Sequence, residues 1–276
     1  MKPQYTIFDS TFLPFGSRSF SFGGDRRGTA PQSFEWSHNV RVPGPIFYTD
    51  IRLRDVFAHQ HLMCKKIALL IEPTWKPAHY EEALRFSSRF DYILSYRNSY
   101  FDASKHLYYP HGGAWVPDWV PQEKTRIVSM MISEKVGAPG HRLRHTLKHL
   151  FEDRITVYGR GYRPIASKVE ALAPYHYSII IEPERIDNYF TEKLIDCFLQ
   201  RTIPIYWGSP TICDTFDCSG IIQFSSAEDI YNILPVLSVY DYNWYLAAIE
   251  RNYQLAHNYL CVEDWIYTHY PFLFQE

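Results

Sequence analysis

The chain of 276 residues carries 28 Lys and Arg against 30 Asp and Glu, and a formal net charge of −2 gives no reason to expect nucleic acid or an anionic membrane as partner. Its 46% hydrophobic content and its length allow two modest cores. Five cysteines without a Cys-x-x-Cys pair imply neither a disulfide framework nor a zinc site; Cys213 and Cys218 are spaced to pair in an oxidising compartment, but a reduced cytosol is the expectation. The opening MKPQYTIFDSTFLPFG has no long apolar stretch after its lysine, so neither a signal peptide nor a membrane span is expected, and the expected location is cytoplasmic.

Residues 1–45 are rich in Gly, Pro, Ser and Arg and read mostly as loop; Gly23, Gly24, Asp25, Arg26 and Arg27 suit either a ligand-hugging turn or, more commonly, a plain surface loop. Helical spacing appears around 50–61. The apolar run 67–71 reads as a buried strand ending at Glu72 and Pro73, followed by a helix over 79–89 and a strand over 92–94. Strands alternating with helices predict a parallel sheet covered on both faces. A Pro- and Trp-rich connector over 109–122 marks a domain boundary. Beyond it come a strand over 126–131, a loop over 133–140, a basic helix over 141–152, a strand over 155–158 and a helix over 165–172. Residues 179–181 form a β-branched strand; after an acidic loop, Tyr189, Leu194, Cys197, Phe198 and Leu199 follow helical spacing, and a second buried strand over 203–207 closes at Gly208. A strand over 221–224, a helix over 227–234 and a helical, aromatic pattern from Tyr242 complete the chain.

In a strand–loop–helix–strand unit the helix N-terminus lies at the carboxyl ends of the strands, where free N–H groups favour a phosphate. Glu192 and Lys193 sit near that end: a carboxylate suits ribose hydroxyls and a lysine suits a diphosphate, although a surface Glu–Lys pair is the plain alternative. Glu72, at the carboxyl end of a buried strand, is the candidate general base, with helix capping as its alternative. Arg97 suits either an acceptor contact or an ordinary ion pair. The basic helix offers Arg142 and Arg144 for a diphosphate; they project to different faces and at most one fits. Gly159, Arg160 and Gly161 form a turn that allows close backbone approach. The absence of Asp-x-Asp counts against a metal-held diphosphate.

The segment 177–210 resembles the donor-binding signature of the α1,3-fucosyltransferases, soluble bacterial or viral type. In that signature a strand ending in an acidic residue is followed by Asp-Tyr-x-Thr-Glu-Lys-Leu, a helix and a short strand ending in Gly. Here these positions are Glu182, Asp187, Tyr189, Thr191, Glu192, Lys193 and Leu194, then Pro204 and Gly208. Pro183 stands where the family has Asn, and Asn188 is inserted between Asp187 and Tyr189. In the first half, Glu72–Pro73, the Ser95, Tyr96, Arg97 stretch and Tyr109, Pro110, His111, Gly112 are similar to the family's acceptor-side pattern, and Gly159 matches its Tyr-Gly-x-Gly position. The resemblance implies donor contacts at Glu182, Tyr189, Thr191, Glu192, Lys193, Gly159 and one of Arg142 and Arg144, and a base at Glu72. It also implies an inverting transfer from a nucleotide sugar to a glycan hydroxyl without cofactor or metal. GDP-fucose is the default donor; the substitutions at 183 and 188 leave a UDP-sugar such as UDP-xylose open, and a nucleotide- or carbohydrate-binding protein without catalysis is the rival. The expected fold class is α/β, GT-B-like: two doubly wound Rossmann-like domains facing a cleft. An acceptor-side domain would span 1–120, a nucleotide-sugar domain 121–250, and a helical segment over 251–276 would pack back across the junction.

Overall fold

The computed structural model describes residues 2–10, 19, 30–97, 101–117 and 122–275. In chain order the elements begin with β1 (Gln4–Phe8), β2 (Glu35–His38), β3 (Ile46–Thr49), a 3-10 helix over Asp50–His59, β4 (Lys66–Leu69), α1 (Pro77–Arg85), β5 (Tyr92–Ser95) and β6 (His106–Tyr108). They continue with β7 (Arg126–Met131), α2 (Pro139–Phe151), β8 (Thr156–Tyr158), α3 (Val169–Leu172), β9 (Tyr175–Ile181), α4 (Glu192–Leu199), β10 (Ile203–Trp207) and β11 (Ile222–Gln223). The chain closes with α5 (Ala227–Ile233), α6 (Val239–Tyr242), α7 (Leu246–Ala256) and α8 (Val262–His269). Described residues up to His111, together with those from Cys261 onward, form one compact unit; those between Gly112 and Leu260 form a second.

The first unit holds a six-stranded parallel sheet in the order β2-β1-β3-β4-β5-β6. Ile7, Phe47, Ile67, Leu69 and Leu94 face one side of it, and Val262 and Ile266 of α8 with Leu273 and Phe274 cover them. Burying that aromatic tail explains why its helical pattern is so apolar. Residues 4–8 and 35–38, expected as loop, are strands. Their surroundings are polar and Gly-rich, and only pairing with β3 and with each other fixes them.

The second unit carries a five-stranded parallel sheet, β11-β10-β9-β7-β8. All seven residues of β9 are buried, as expected of a central parallel strand with both faces covered. Alternation divides them: Tyr177, Ile179 and Ile181 pack with Ile203, Ile205 and Trp207 against Leu147 and Phe151 of α2, whereas Ile180 and Tyr206 pack against Leu194, Ile195 and Phe198 of α4. Pro204 is tolerated inside β10 because β11 pairs only with Ile205 and Tyr206, leaving position 204 with one neighbouring strand.

Two further expectations need correction. The helix expected over 165–172 shrinks to Val169–Leu172, because Glu170 Oε1 accepts from the amides of Ala166 (2.9 Å) and Ser167 (3.1 Å) and holds the preceding residues in a turn. Cys213 and Cys218, expected as reduced thiols, are joined as a disulfide. Among the described residues no helix is long and apolar enough to cross a membrane. The glycine-rich stretch 23–27 and the residues after Arg97 at 98 and 99 lie outside the described residues.

Candidate functional site

Strand order reverses in the second sheet between β7 and β9, so the chain leaves these neighbours in opposite directions and opens a crevice at their carboxyl ends. A pocket of about 340 Å³ lies there, floored by Met131 and Ile132 from the end of β7 and by Ile179, Ile180 and Ile181 of β9. α2 starts against this crevice. The Gly140 amide donates to the Pro183 carbonyl (2.9 Å), and a methyl at position 140 would collide with the Glu182 carbonyl, so only glycine lets the helix approach.

The first turns of α2 present His141 and Arg144 to the pocket from positions three apart, and hence on one face. Arg144 is 6% exposed, and its guanidinium donates to the Ile181 carbonyl. Burial lowers its pKa, opposed by Glu182 and Glu192. Arg142 is exposed outside the lining and donates to the carbonyls of Val136 (3.4 Å) and Gly137 (3.1 Å) of its own loop. His141 is pushed down to about 4 by burial, with Arg144, Lys135 and Lys193 adding to the effect. It is therefore a neutral imidazole near pH 7; its Nδ1 accepts the Ala138 amide (3.2 Å), which assigns the ring proton to Nε2.

α4 supplies the opposite chemistry. Thr191 is its N-cap, with the hydroxyl oxygen accepting from the Lys193 amide (3.4 Å). The same residue ties the cap to β9: its amide and its hydroxyl each donate to Glu182, both at 2.8 Å. Glu182 is fully buried, and with Thr191 and Tyr189 it stays out of the pocket lining. Glu182 and Thr191 hold the start of α4 in place, whereas Glu192 and Lys193 line the pocket. Lys193 Nζ donates to Thr191 Oγ1 (2.9 Å) and lies 3.2 Å from Glu192 Oε1 and 3.7 Å from Glu182 Oε2. The inserted Asn188 takes a left-handed conformation (φ 62°), which Asn tolerates. Its amide donates to Ser209 Oγ (2.9 Å) and Thr211 Oγ1 (3.0 Å), so the extra residue is absorbed next to α4 and outside the pocket.

Gly159 is also outside the pocket. At φ 130° it lies so close to the Ile132 backbone that a Cβ would overlap the carbonyl, so glycine is needed for β8 to close onto β7. Sequence reasoning singled out neither His141 of the basic helix nor Trp115, Ser133, Lys135 and Lys168 as lining residues. The last four come from a connector, a loop and a turn, where no periodicity marks them.

In the first unit β3, β4 and β5 lie side by side. Glu72 follows β4 and is half-buried, with Lys76 Nζ 2.8 Å from its carboxylate. Asp50, directly after β3, is fully buried and accepts the amides of Ile71 (3.2 Å) and Glu72 (3.3 Å) on Oδ1. Burial pushes its carboxyl up to about 8, against the pull of those two amides, while the charges of Glu72 and Asp9 add to the rise. After β5, Tyr96 Oη accepts the Thr74 amide (2.8 Å), and the Arg97 amide donates to Ser95 Oγ (3.2 Å). Glu72 and Arg97 thus leave neighbouring strands on the same edge of the sheet. Among the described residues no group of three or more His, Cys, Asp and Glu is arranged to hold a metal.

No protein-family model matches the chain. A stretch of 95 residues, 33% of the chain, is 30% identical to the α-(1,3)-fucosyltransferase FucT of Helicobacter pylori and spans 20% of that protein's length. Among solved structures, an α1,3-fucosyltransferase superposes with a TM-score of 0.60 at 15% identity, covering 99% of this chain and 90% of its own. The same kind of enzyme with GDP-fucose gives 0.59 at 15% identity, covering 100% and 91%. Anabaena Alr3699/HepE in complex with UDP-glucose gives 0.62 at 9% identity, covering 96% and 98%. The chain therefore shares the α/β fold of these proteins along nearly its whole length, and the resemblance to α1,3-fucosyltransferases read from its residues extends to both comparisons.

Proposed function

We propose that the protein is a glycosyltransferase that takes a nucleotide diphosphate sugar and transfers the sugar to a hydroxyl of a glycan. The observation that carries this reading is the pocket at the β7/β9 reversal. α2 and the loop before it bring the cations Arg144 and Lys135 and the neutral His141 to its lining, and Glu192 stands on α4 beside Lys193. Cations and a neutral imidazole donor suit a diphosphate whose charge grows as it departs, and a carboxylate suits vicinal ribose hydroxyls. Glu72 is proposed as the base that accepts the proton of the attacking hydroxyl, giving in-line displacement with inversion and no metal. Arg97 is the proposed acceptor contact. GDP-fucose is the default donor, supported by the 95-residue similarity to a fucosyltransferase. A uridine donor is the second reading, supported by the fold shared with a protein that has UDP-glucose bound and by Pro183, which supplies no side-chain amide to the pocket.

The test is a thermal-shift titration with GDP, UDP, GDP-fucose and UDP-xylose, with and without EDTA. A ligand that binds the folded state raises the midpoint by mass action, about 2.7 kcal/mol at a hundredfold excess over Kd. Stabilisation by the guanosine pair, indifferent to EDTA, supports the fucosyl donor, and preference for the uridine pair changes the donor and keeps the chemistry. No response to any of the four refutes the reading. A product that keeps the donor's anomeric configuration by NMR refutes inversion. A cytoplasmic location belongs to the same proposal and requires that the Cys213–Cys218 bridge be dispensable for folding.

A further inference from the structure

The pocket wall holds an ion-pair chain of which the proposed chemistry uses only Glu192. Lys168 Nζ lies 2.7 Å from Asp196 Oδ2 and 3.3 Å from Glu192 Oε1, and 4.1 Å from the centroid of the Trp115 ring. Asp196 is fully buried, and its other oxygen accepts the amides of Trp115 (2.7 Å) and Val116 (3.2 Å). The backbone that carries Trp115 thus fixes Asp196, and Asp196 fixes the lysine. Lys168 is delivered by the turn in which Glu170 shortens α3.

Glu192 and Asp196 occupy successive turns of α4, four residues apart, on a buried stretch of helix. Two carboxylates so placed repel each other, and without a cation between them one takes up a proton. Burial alone would lower the Lys168 pKa, but Asp196 and Glu192 more than reverse this and raise it, so the cation is permanent. A second cation, Lys193, reaches the same Glu192 oxygen but is shared with Thr191 and stands next to Glu182. Lys168 differs in joining Glu192 to Asp196, which the backbone of Trp115 and Val116 holds in place.

We propose that Lys168 is a positioning residue for ribose recognition: by bridging Asp196 and Glu192 at the face of the Trp115 ring, it keeps Glu192 an oriented carboxylate that accepts the 2′- and 3′-hydroxyls of the donor nucleotide. The inference rests on the glycosyltransferase reading above, in which Glu192 meets the ribose. A protonated or swung-out Glu192 loses one or both of those hydrogen bonds, whereas contacts to base and diphosphate are unaffected.

The measurement is calorimetric titration of the wild type and Lys168→Met with GDP or UDP, whichever the wild type binds more tightly, and with the 2′,3′-dideoxy form of the same diphosphate. Lys168→Met weakens the ribose-bearing ligand about 10- to 100-fold and the dideoxy ligand less than about 2-fold. Equal losses for both ligands, with wild-type binding intact, overturn this inference and leave the functional reading standing. Failure of the wild type to bind either diphosphate overturns both. Should Lys168→Met not fold, Lys168→Gln, which keeps a polar donor and removes the charge, is read by the same ratio.

Discussion

Replacing Arg144 by Met and, separately, Arg142 by Met distinguishes two arginines that the sequence left equivalent. Arg144 is 6% exposed and lines the pocket; Arg142 is exposed and bound to its own loop carbonyls. A hydrogen bond between charged groups in a desolvated setting contributes about 1.5–3 kcal/mol, so Arg144→Met weakens a nucleoside diphosphate about 10- to 150-fold. Arg142→Met, a surface change, alters it less than about 3-fold. Calorimetry with GDP and with guanosine (or UDP and uridine) reads both numbers. Part of the Arg144 cost is the Ile181 carbonyl left without its donor, and the nucleoside measures that part, because it lacks phosphate. Equal weakening of nucleotide and nucleoside would show that Arg144 only shapes the pocket, and a larger effect at Arg142 would remove the diphosphate assignment altogether.

Glu72→Gln is expected to lower transfer about 10²- to 10⁴-fold while leaving the nucleotide-induced midpoint shift unchanged; loss of that shift would remove Glu72 from the base role. Asp50 predicts a pH dependence. Its folded carboxyl titrates at about 8 against an ordinary 3.8, so the proton is held more tightly in the folded state. The stability it lends is complete below about pH 4 and is lost as pH rises to about 8. Asp50→Asn keeps an acceptor for the Ile71 and Glu72 amides and removes the titration, so its melting midpoint stays flatter over that window; parallel curves would contradict the shift. Reducing the Cys213–Cys218 bridge, which closes a loop of sequence separation 5, costs about 2 kcal/mol by loop entropy. A melt in dithiothreitol is expected to fall by about 4–8 °C, and a change under about 1 °C would show the bridge to be incidental to folding.

The sequence by itself determined the central strands, the helix after them and the pair Glu192 and Lys193, because a buried parallel strand must be a continuous apolar run and a helix must repeat its apolar face. It also placed Glu72 at a strand end. The outer strands of the first sheet were not legible, since β1 and β2 lie in a polar, Gly-rich stretch and exist through pairing, β1 with β3 and β2 with β1. Nor were the pocket-lining residues: Trp115 and Lys168 lie 53 positions apart in chain segments without periodicity, and meet because Asp196 holds the backbone of one and the ammonium of the other. The choice between Arg142 and Arg144 likewise depends on which face of α2 turns to β9, and Gly140 against the Glu182 carbonyl sets that. Local pattern fixes which face of an element is apolar; only the packed neighbours decide which polar groups on its rim are drawn into one site.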